Sequence, residues 1–183
     1  MRDLSLHILN LIENSIHAEA SVISVRIIEK PQQDVLRIVV EDNGPGLPIS
    51  PEAAMDPFRT TKDKKGKQTG LGLSLLRAAA EQAGGRLTLN KSRLGGLAVE
   101  ATMQLSHTDR TPLGDLAATL ASVVCTNPQL DLRCQCCVGD KECTVRVSDV
   151  AQELPADERC GLAIARRVCE KMRAGLKAVE ILA

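Results

Sequence analysis

The sequence contains no tryptophan, no tyrosine and a single phenylalanine, Phe58. Proteins that hold single-stranded nucleic acid stack its bases on aromatic rings, so that mode of binding is excluded. Charge of one sign is not in excess either. The 23 Lys and Arg residues balance 23 Asp and Glu, which leaves no basic footprint for a duplex. Nucleic acid is therefore not an expected partner. Long apolar runs are also missing: none reaches the roughly 20 residues that a membrane-spanning helix needs. Met1 to Leu6 runs straight into patterned sequence, without the apolar stretch and small-residue cleavage site of a signal peptide. The expectation is a cytoplasmic protein with no membrane partner. Its seven cysteines read in that setting as thiols before they read as a disulfide framework.

What is present suits a packed chain. Apolar residues make up 44% of 183, enough for one full domain and a smaller appendage. Residues 3–18 predict a helix, with Asp3 as N-cap and Leu4, Ile8, Leu11 and Ile12 on a buried face. Strands are expected over 22–28 and 35–41 around a polar turn at Pro31–Asp34, and a second helix from Gly70 to the Gly84-Gly85 stop. Arg86–Asn90 and Leu97–Leu105 read as a hairpin, the latter alternating strictly. Residues 48–70 lack periodicity and are rich in lysine, as expected of a long functional loop. Turn chemistry across 107–114 marks a linker, dividing a 1–106 domain from a helix-hairpin-helix extension over 115–183.

Three local features carry chemistry. On the first helix His7, Asn10, Asn14 and His17 step by three, four and three residues and so share one face. Asparagine is a poor mid-helix residue. A solvated face accounts for such a line, and so does ligation of Mg²⁺ by an amide oxygen. The second strand runs into Asp42-Asn43-Gly44-Pro45-Gly46. A carboxylate there can accept from the exocyclic amine of adenine, and the glycines allow a sharp turn close to a flat ring. Gly70-Leu71-Gly72-Leu73 opens the second helix, where unpaired N–H groups favour phosphate. Lys62, Lys64, Lys65 and Lys67 precede it, either as a solvated charge run or as phosphate contacts.

In order and spacing these segments resemble the N, G1, F and G2 boxes of the gyrase, heat-shock chaperone, histidine kinase and mismatch-repair ATPase superfamily. The matching stretches are His7–Ser15, Glu41–Gly46, Asp56–Lys62 and Thr69–Ser74, and the likeness covers about residues 1–106. It is nearest to histidine-kinase and anti-sigma-kinase catalytic domains. The resemblance implies a Bergerat fold, a two-layer α/β sandwich with a mixed, mostly antiparallel sheet, binding ATP and Mg²⁺. It assigns Asn14 to the metal, Asp42 to the adenine amine, and Gly44 and Gly46 to the adenine pocket. Thr69, Gly70, Leu71, Gly72 and Leu73 go to the phosphates. Phe58, Thr61 and Lys62 belong to a lid over 47–69. Asn10, His17 and Thr102 complete the cofactor-binding set.

Superfamily members that hydrolyse ATP well carry a glutamate one turn before the metal asparagine; here that position is Asn10, which cannot take a proton. Glu13 is the nearest carboxylate, rotated about 100° from Asn14. Asn10 and Glu13 are thus the catalytic candidates, and weak intrinsic hydrolysis is expected. The sequence shows no helical hairpin with a phosphoacceptor histidine ahead of the first helix, and no strand there. Two readings stay open: a kinase that phosphorylates a partner protein, or an ATP-dependent switch that binds a regulated factor without useful turnover. A homodimer formed through the tail is compatible with either.

Every cysteine lies beyond residue 124. Their spacing does not match a paired Cys-x-x-Cys zinc pattern. Leu130, Leu132, Cys134 and Cys136 alternate, as do Cys143, Val145 and Val147, around a Gly139-Asp140 turn. That register sets Cys136 opposite Cys143, Cys134 opposite Val145 and Leu132 opposite Val147, with cysteine as a small core residue. Reversible oxidation of Cys136 with Cys143 stays open, and Cys137 points to the other face.

Overall fold

The computed structural model describes residues 3–47, Ala54 and residues 71–181. Helix α1 (Leu4–His17) starts at Asp3, whose carboxylate accepts the Leu6 N–H at 3.0 Å. The N–H groups of Leu4 and Ser5 donate to the carbonyls of Pro112 and Leu113, both at 2.8 Å. Three of the four donors that a helix start leaves unpaired thus find acceptors, and the segment expected as a linker is tied to α1.

Strands β1 (Val22–Lys30) and β2 (Val35–Asp42) pair antiparallel. They are joined by a 3-10 turn at Pro31–Gln33 and by Asp34, in the left-handed region at φ 53°. The Asp34 carboxylate accepts from the Gln104 amide at 2.7 Å and from the Ser106 hydroxyl and N–H, both at 2.8 Å. Those bonds, the Gln104 one foremost, hold it below the usual carboxylate value.

Helix α2 (Leu71–Gln82) leads into β3 (Arg86–Lys91) and β4 (Leu97–Gln104). Then follow α3 (Leu116–Thr126), β5 (Asp131–Val138), β6 (Lys141–Arg146), α4 (Val147–Gln152) and α5 (Gly161–Val179). The six strands form one sheet in the order β3-β4-β2-β1-β5-β6, in which only the β1–β5 pair is parallel. The helices cover one face, giving the expected two-layer α/β sandwich. Leu4, Ile8 and Ile12 of α1 and Leu76 of α2 bury themselves against Ile23, Val25, Ile27 and Ile38. Each such side chain contributes about 1.5–3 kcal/mol. The opposite face carries the ion pairs Arg26–Glu41 at 2.7 Å, Arg37–Glu100 at 3.2 Å and Asp131–Arg133 at 2.6 Å.

The C-terminal region continues this sheet. Strand β5 lies along β1 from Val22↔Asp131 to Glu29↔Val138, so the chain on either side of 107–114 shares one set of strands. The hairpin register follows the sequence pattern at Cys134↔Val145 and Cys136↔Cys143, with Gly139 at φ 56° taking the turn. Leu132 does not face Val147: the ladder ends at Arg133↔Arg146, because the chain turns into α4 at Val147. The last helix begins at Gly161, after a 3-10 turn at Ala156–Glu158 and an extended Cys160.

Cys134 and Cys136 are buried in the core, and Cys134 lines a small void with Leu120, Leu132, Val145 and Met172. Hydrogen bonding with Cys134, then burial, pushes the Cys136 thiol up; hydrogen bonding with Cys136, then burial, does the same to Cys143. Among the described residues no three of His, Cys, Asp and Glu group as a metal site. No described helix is long and apolar enough to cross a membrane.

Candidate nucleotide site

Asp42 ends β2 opposite Ile23 and is buried at 5% exposure. Its Oδ1 accepts the N–H groups of Gly44 at 2.9 Å and Leu97 at 3.1 Å. Its Oδ2 accepts the Ser15 hydroxyl at 2.7 Å, and its carbonyl accepts the Gly96 N–H at 3.1 Å. Asn43 fastens the turn to β1: its amide oxygen accepts the Ser21 and Val22 N–H groups, each at 2.9 Å. Space is tight around this carboxylate. A methyl at Gly96 would overlap Asp42 Oδ1 and come within 2.6 Å of the Gly44 nitrogen. Gly46, at φ 78°, turns the chain through the left-handed region that glycine favours. Beside it opens a cavity of about 400 Å³, lined by Pro45, Gly46 and Leu47 on one side and by Leu89–Lys91 and Gly95–Leu97 on the other.

The second half of the candidate site comes from α1. Asn10 and Asn14 are half-buried one turn apart, and the Asn14 amide nitrogen donates to Asn10 Oδ1 at 3.4 Å. Gly72, in the first turn of α2, lies directly on Asn10; any Cβ there would overlap the Asn10 amide oxygen. The glycine is therefore what lets the start of α2 close onto the asparagine helix. Leu71 opens α2 and Leu73 is half-buried within it.

The polar face expected on α1 is only partly present. Glu13 and His17 are exposed, but His7 is 4% exposed, and its Nδ1 has no hydrogen-bond partner among the described residues. Burial, above all, holds that imidazole below its ordinary value. The reason is packing: α1 touches α2 and α3 as well as the sheet, so its buried arc is wider than the apolar stripe alone. Thr102 is not brought to the other candidates. It sits on β4 opposite Arg37 and Arg86, its hydroxyl accepting the Arg86 N–H at 3.3 Å, on the face away from Asp42. Four residues of strand, roughly 13 Å, separate it from Ala98, the neighbour of Glu41. Phe58, Thr61, Lys62, Thr69 and Gly70 lie outside the described residues.

Ser15, Gly96 and Leu97 are the contacts that the sequence reading did not single out. Ser15 could have been found, since it follows Asn14 and a buried carboxylate needs donors. Gly96 falls between the two strands of the expected hairpin, where glycine is ordinary, and a backbone N–H such as that of Leu97 leaves no mark in a sequence.

The family profile described as histidine kinase-, DNA gyrase B-, and HSP90-like ATPase matches residues 2–107. The chain belongs to this ATPase family. Domains of the histidine kinase-, gyrase B- and HSP90-like type bind ATP, generally with Mg²⁺. Among characterised proteins, the chain is 35% identical over 101 residues to the sensor protein kinase CarS of Pseudomonas aeruginosa, covering 55% of this chain and 22% of that one. It is 32% identical over 83 residues to the sensor protein PhoQ of Escherichia coli, covering 45% of this chain and 17% of that one. The chain thus spans about a fifth of the length of these relatives. Among solved structures, the N-terminal domain of a DNA repair protein superimposes with a TM-score of 0.51 at 15% identity, over 80% of this chain and 52% of that one. That last likeness is one of fold alone.

Proposed function

We propose that this chain binds ATP with Mg²⁺ between α1, the Asp42 turn and the start of α2, and that the bound nucleotide serves to phosphorylate or regulate a partner protein in signalling. The observation that carries the reading is the buried Asp42 carboxylate, three-fold hydrogen-bonded and followed by a turn, Pro45–Leu47, that lines a hollow; its Ser15 donor comes from the same helix as Asn10, onto which Gly72 closes. Asp42 takes the adenine amine, and Gly44 and Gly46 let the chain pass close to the ring. Asn14 fits a hard cation: its amide nitrogen is spent on Asn10, and its carbonyl oxygen remains as an acceptor among the described residues. Mg²⁺ there would neutralise phosphate charge. Asn10 orients Asn14, and the N–H groups at the start of α2 face the phosphates, with Gly70 and Gly72 allowing close approach. His17 and the lid residues Phe58, Thr61, Lys62 and Thr69 complete the set.

Slow turnover follows because α1 sets no base beside Asn14. Asn10 accepts no proton, and Glu13 is exposed on the neighbouring arc of the helix. That same observation favours the second reading, a switch in which ATP binding alone changes a partner interface. The test uses ATP radiolabelled at its γ-phosphate, added with the chain to an extract of its source cells. Label on a second protein, absent with Asn14→Ala, supports phosphotransfer. No labelled protein, together with a complex that forms equally in a non-hydrolysable analogue, supports the switch and refutes the kinase.

A further inference from the structure

We infer that Ser15 is a positioning residue that sets the selectivity of the site for a 6-aminopurine; the inference rests on the ATP reading above. A carboxylate offers about four acceptor positions on its two oxygens. In Asp42 three are filled from within the protein: two on Oδ1, by the N–H groups of Gly44 and Leu97, and one on Oδ2, by the Ser15 hydroxyl. Among the described residues one remains, on Oδ2.

The two backbone donors pin Oδ1 but leave the carboxylate plane free to turn about it. Ser15 removes that freedom by holding Oδ2 at 2.7 Å. Its own position is fixed, because Ser15 is 6% exposed and lies within α1, next to Asn14. The bond spans α1 and the end of β2, so it also ties the metal-side helix to the base-side turn. A carboxylate oriented in this way, with a single vacancy, suits one N–H donor from an exocyclic amine. A purine with an oxo group at the same place would set two acceptors against each other, with no proton between them. The clamp also withdraws Oδ2 from water. Without the hydroxyl, a solvent molecule can take the second position and compete with the amine.

The discriminating ligands are ATP and purine riboside triphosphate, which lacks the amine and is otherwise the same. Both are titrated calorimetrically into the full chain, its Ser15→Ala variant and its Ser15→Thr variant, with circular dichroism checking that each is folded. Loss of a hydrogen bond to a charged group corresponds to a weakening of roughly ten-fold or more. Ser15→Ala is expected to weaken ATP by about that factor while leaving purine riboside triphosphate within about two-fold, so the preference for the amine collapses. Ser15→Thr, which restores a hydroxyl, recovers it. Equal weakening of both nucleotides, or unchanged ATP affinity in Ser15→Ala, overturns the role of Ser15 while leaving the ATP reading intact. A wild-type chain that takes up neither nucleotide overturns both.

Discussion

Substituting Gly96 by alanine, with its neighbour Gly95 as control, separates the geometry of the site from the stability of the hairpin that supports it. A methyl at Gly95 meets nothing within 4 Å, so only the backbone resists, through its φ of 112°. That strain costs roughly 1–2 kcal/mol. At Gly96 φ is ordinary but there is no room: the methyl comes to 2.6 Å from the Gly44 nitrogen and 2.8 Å from the Asp42 carbonyl oxygen. Both are backbone atoms, so the hairpin must move away from Asp42. Overpacking costs about 1–3 kcal/mol. Moving the hairpin also strains the bonds from Gly96 N and Leu97 N to Asp42, each worth about 1 kcal/mol or more. These overlap, and a total near 3 kcal/mol is expected, or about 6–12 °C in Tm for a chain of this size.

With no tryptophan or tyrosine, unfolding is followed by circular dichroism and nucleotide binding by calorimetry. Gly96→Ala should weaken ATP at least ten-fold, since it displaces one of the two donors that hold Asp42 Oδ1. Gly95→Ala should lose stability and keep its ATP affinity within about two-fold. Wild-type affinity in Gly96→Ala, or equal losses in the two variants, would show that the close fit at Gly96 does not hold Asp42 for the nucleotide.

Three further outcomes are expected. Asn10→Glu supplies the missing base and should raise basal ATP hydrolysis by roughly ten-fold or more; unchanged turnover would count against the placement of the phosphates beside Asn10. Asp34 is held below its ordinary value when folded, so it stabilises the protein above the unfolded carboxylate range, and that contribution is lost as pH falls through the folded value. Asp34→Asn, which tolerates the left-handed backbone, should therefore lower Tm at pH 7, and the gap from wild type should begin to close only below about pH 4. A gap that stays constant with pH contradicts the assignment. Iodoacetamide at neutral pH should label exposed Cys160 first, and buried Cys134 and Cys136 only after denaturation; mass spectrometry on the native protein reads the order.

Much of the fold was legible because period and punctuation agreed. Asp3 capped α1 as its side chain suggested, β1 and β2 followed their apolar alternation, and Gly84-Gly85 stopped α2. The Cys136↔Cys143 register could be read from two alternating runs about a two-residue turn. What the sequence hid was long-range. Nothing in Asp131–Val138 announces a parallel partner, because a strand buried by pairing on both sides reads like any apolar alternation. His7 was misplaced for a related reason: the helical period gives a face, while neighbouring elements decide how wide its buried arc becomes. At the candidate site, Asn10, Asp42 and Gly72 stand out by their chemistry, but the donors that hold Asp42 are a hydroxyl and two backbone N–H groups from three separate segments. Only folding brings those together.

ATP binding through Asp42 and Asn14 is decided by calorimetric titration of ATP, with and without Mg²⁺, into the wild-type chain and its Asp42→Ala and Asn14→Ala variants. Saturable binding by the wild type, its loss in Asp42→Ala, and its loss of Mg²⁺ dependence in Asn14→Ala are the predicted results. A folded wild-type chain that gives no heat with ATP, or an Asp42→Ala variant that binds as well as wild type, would contradict the account.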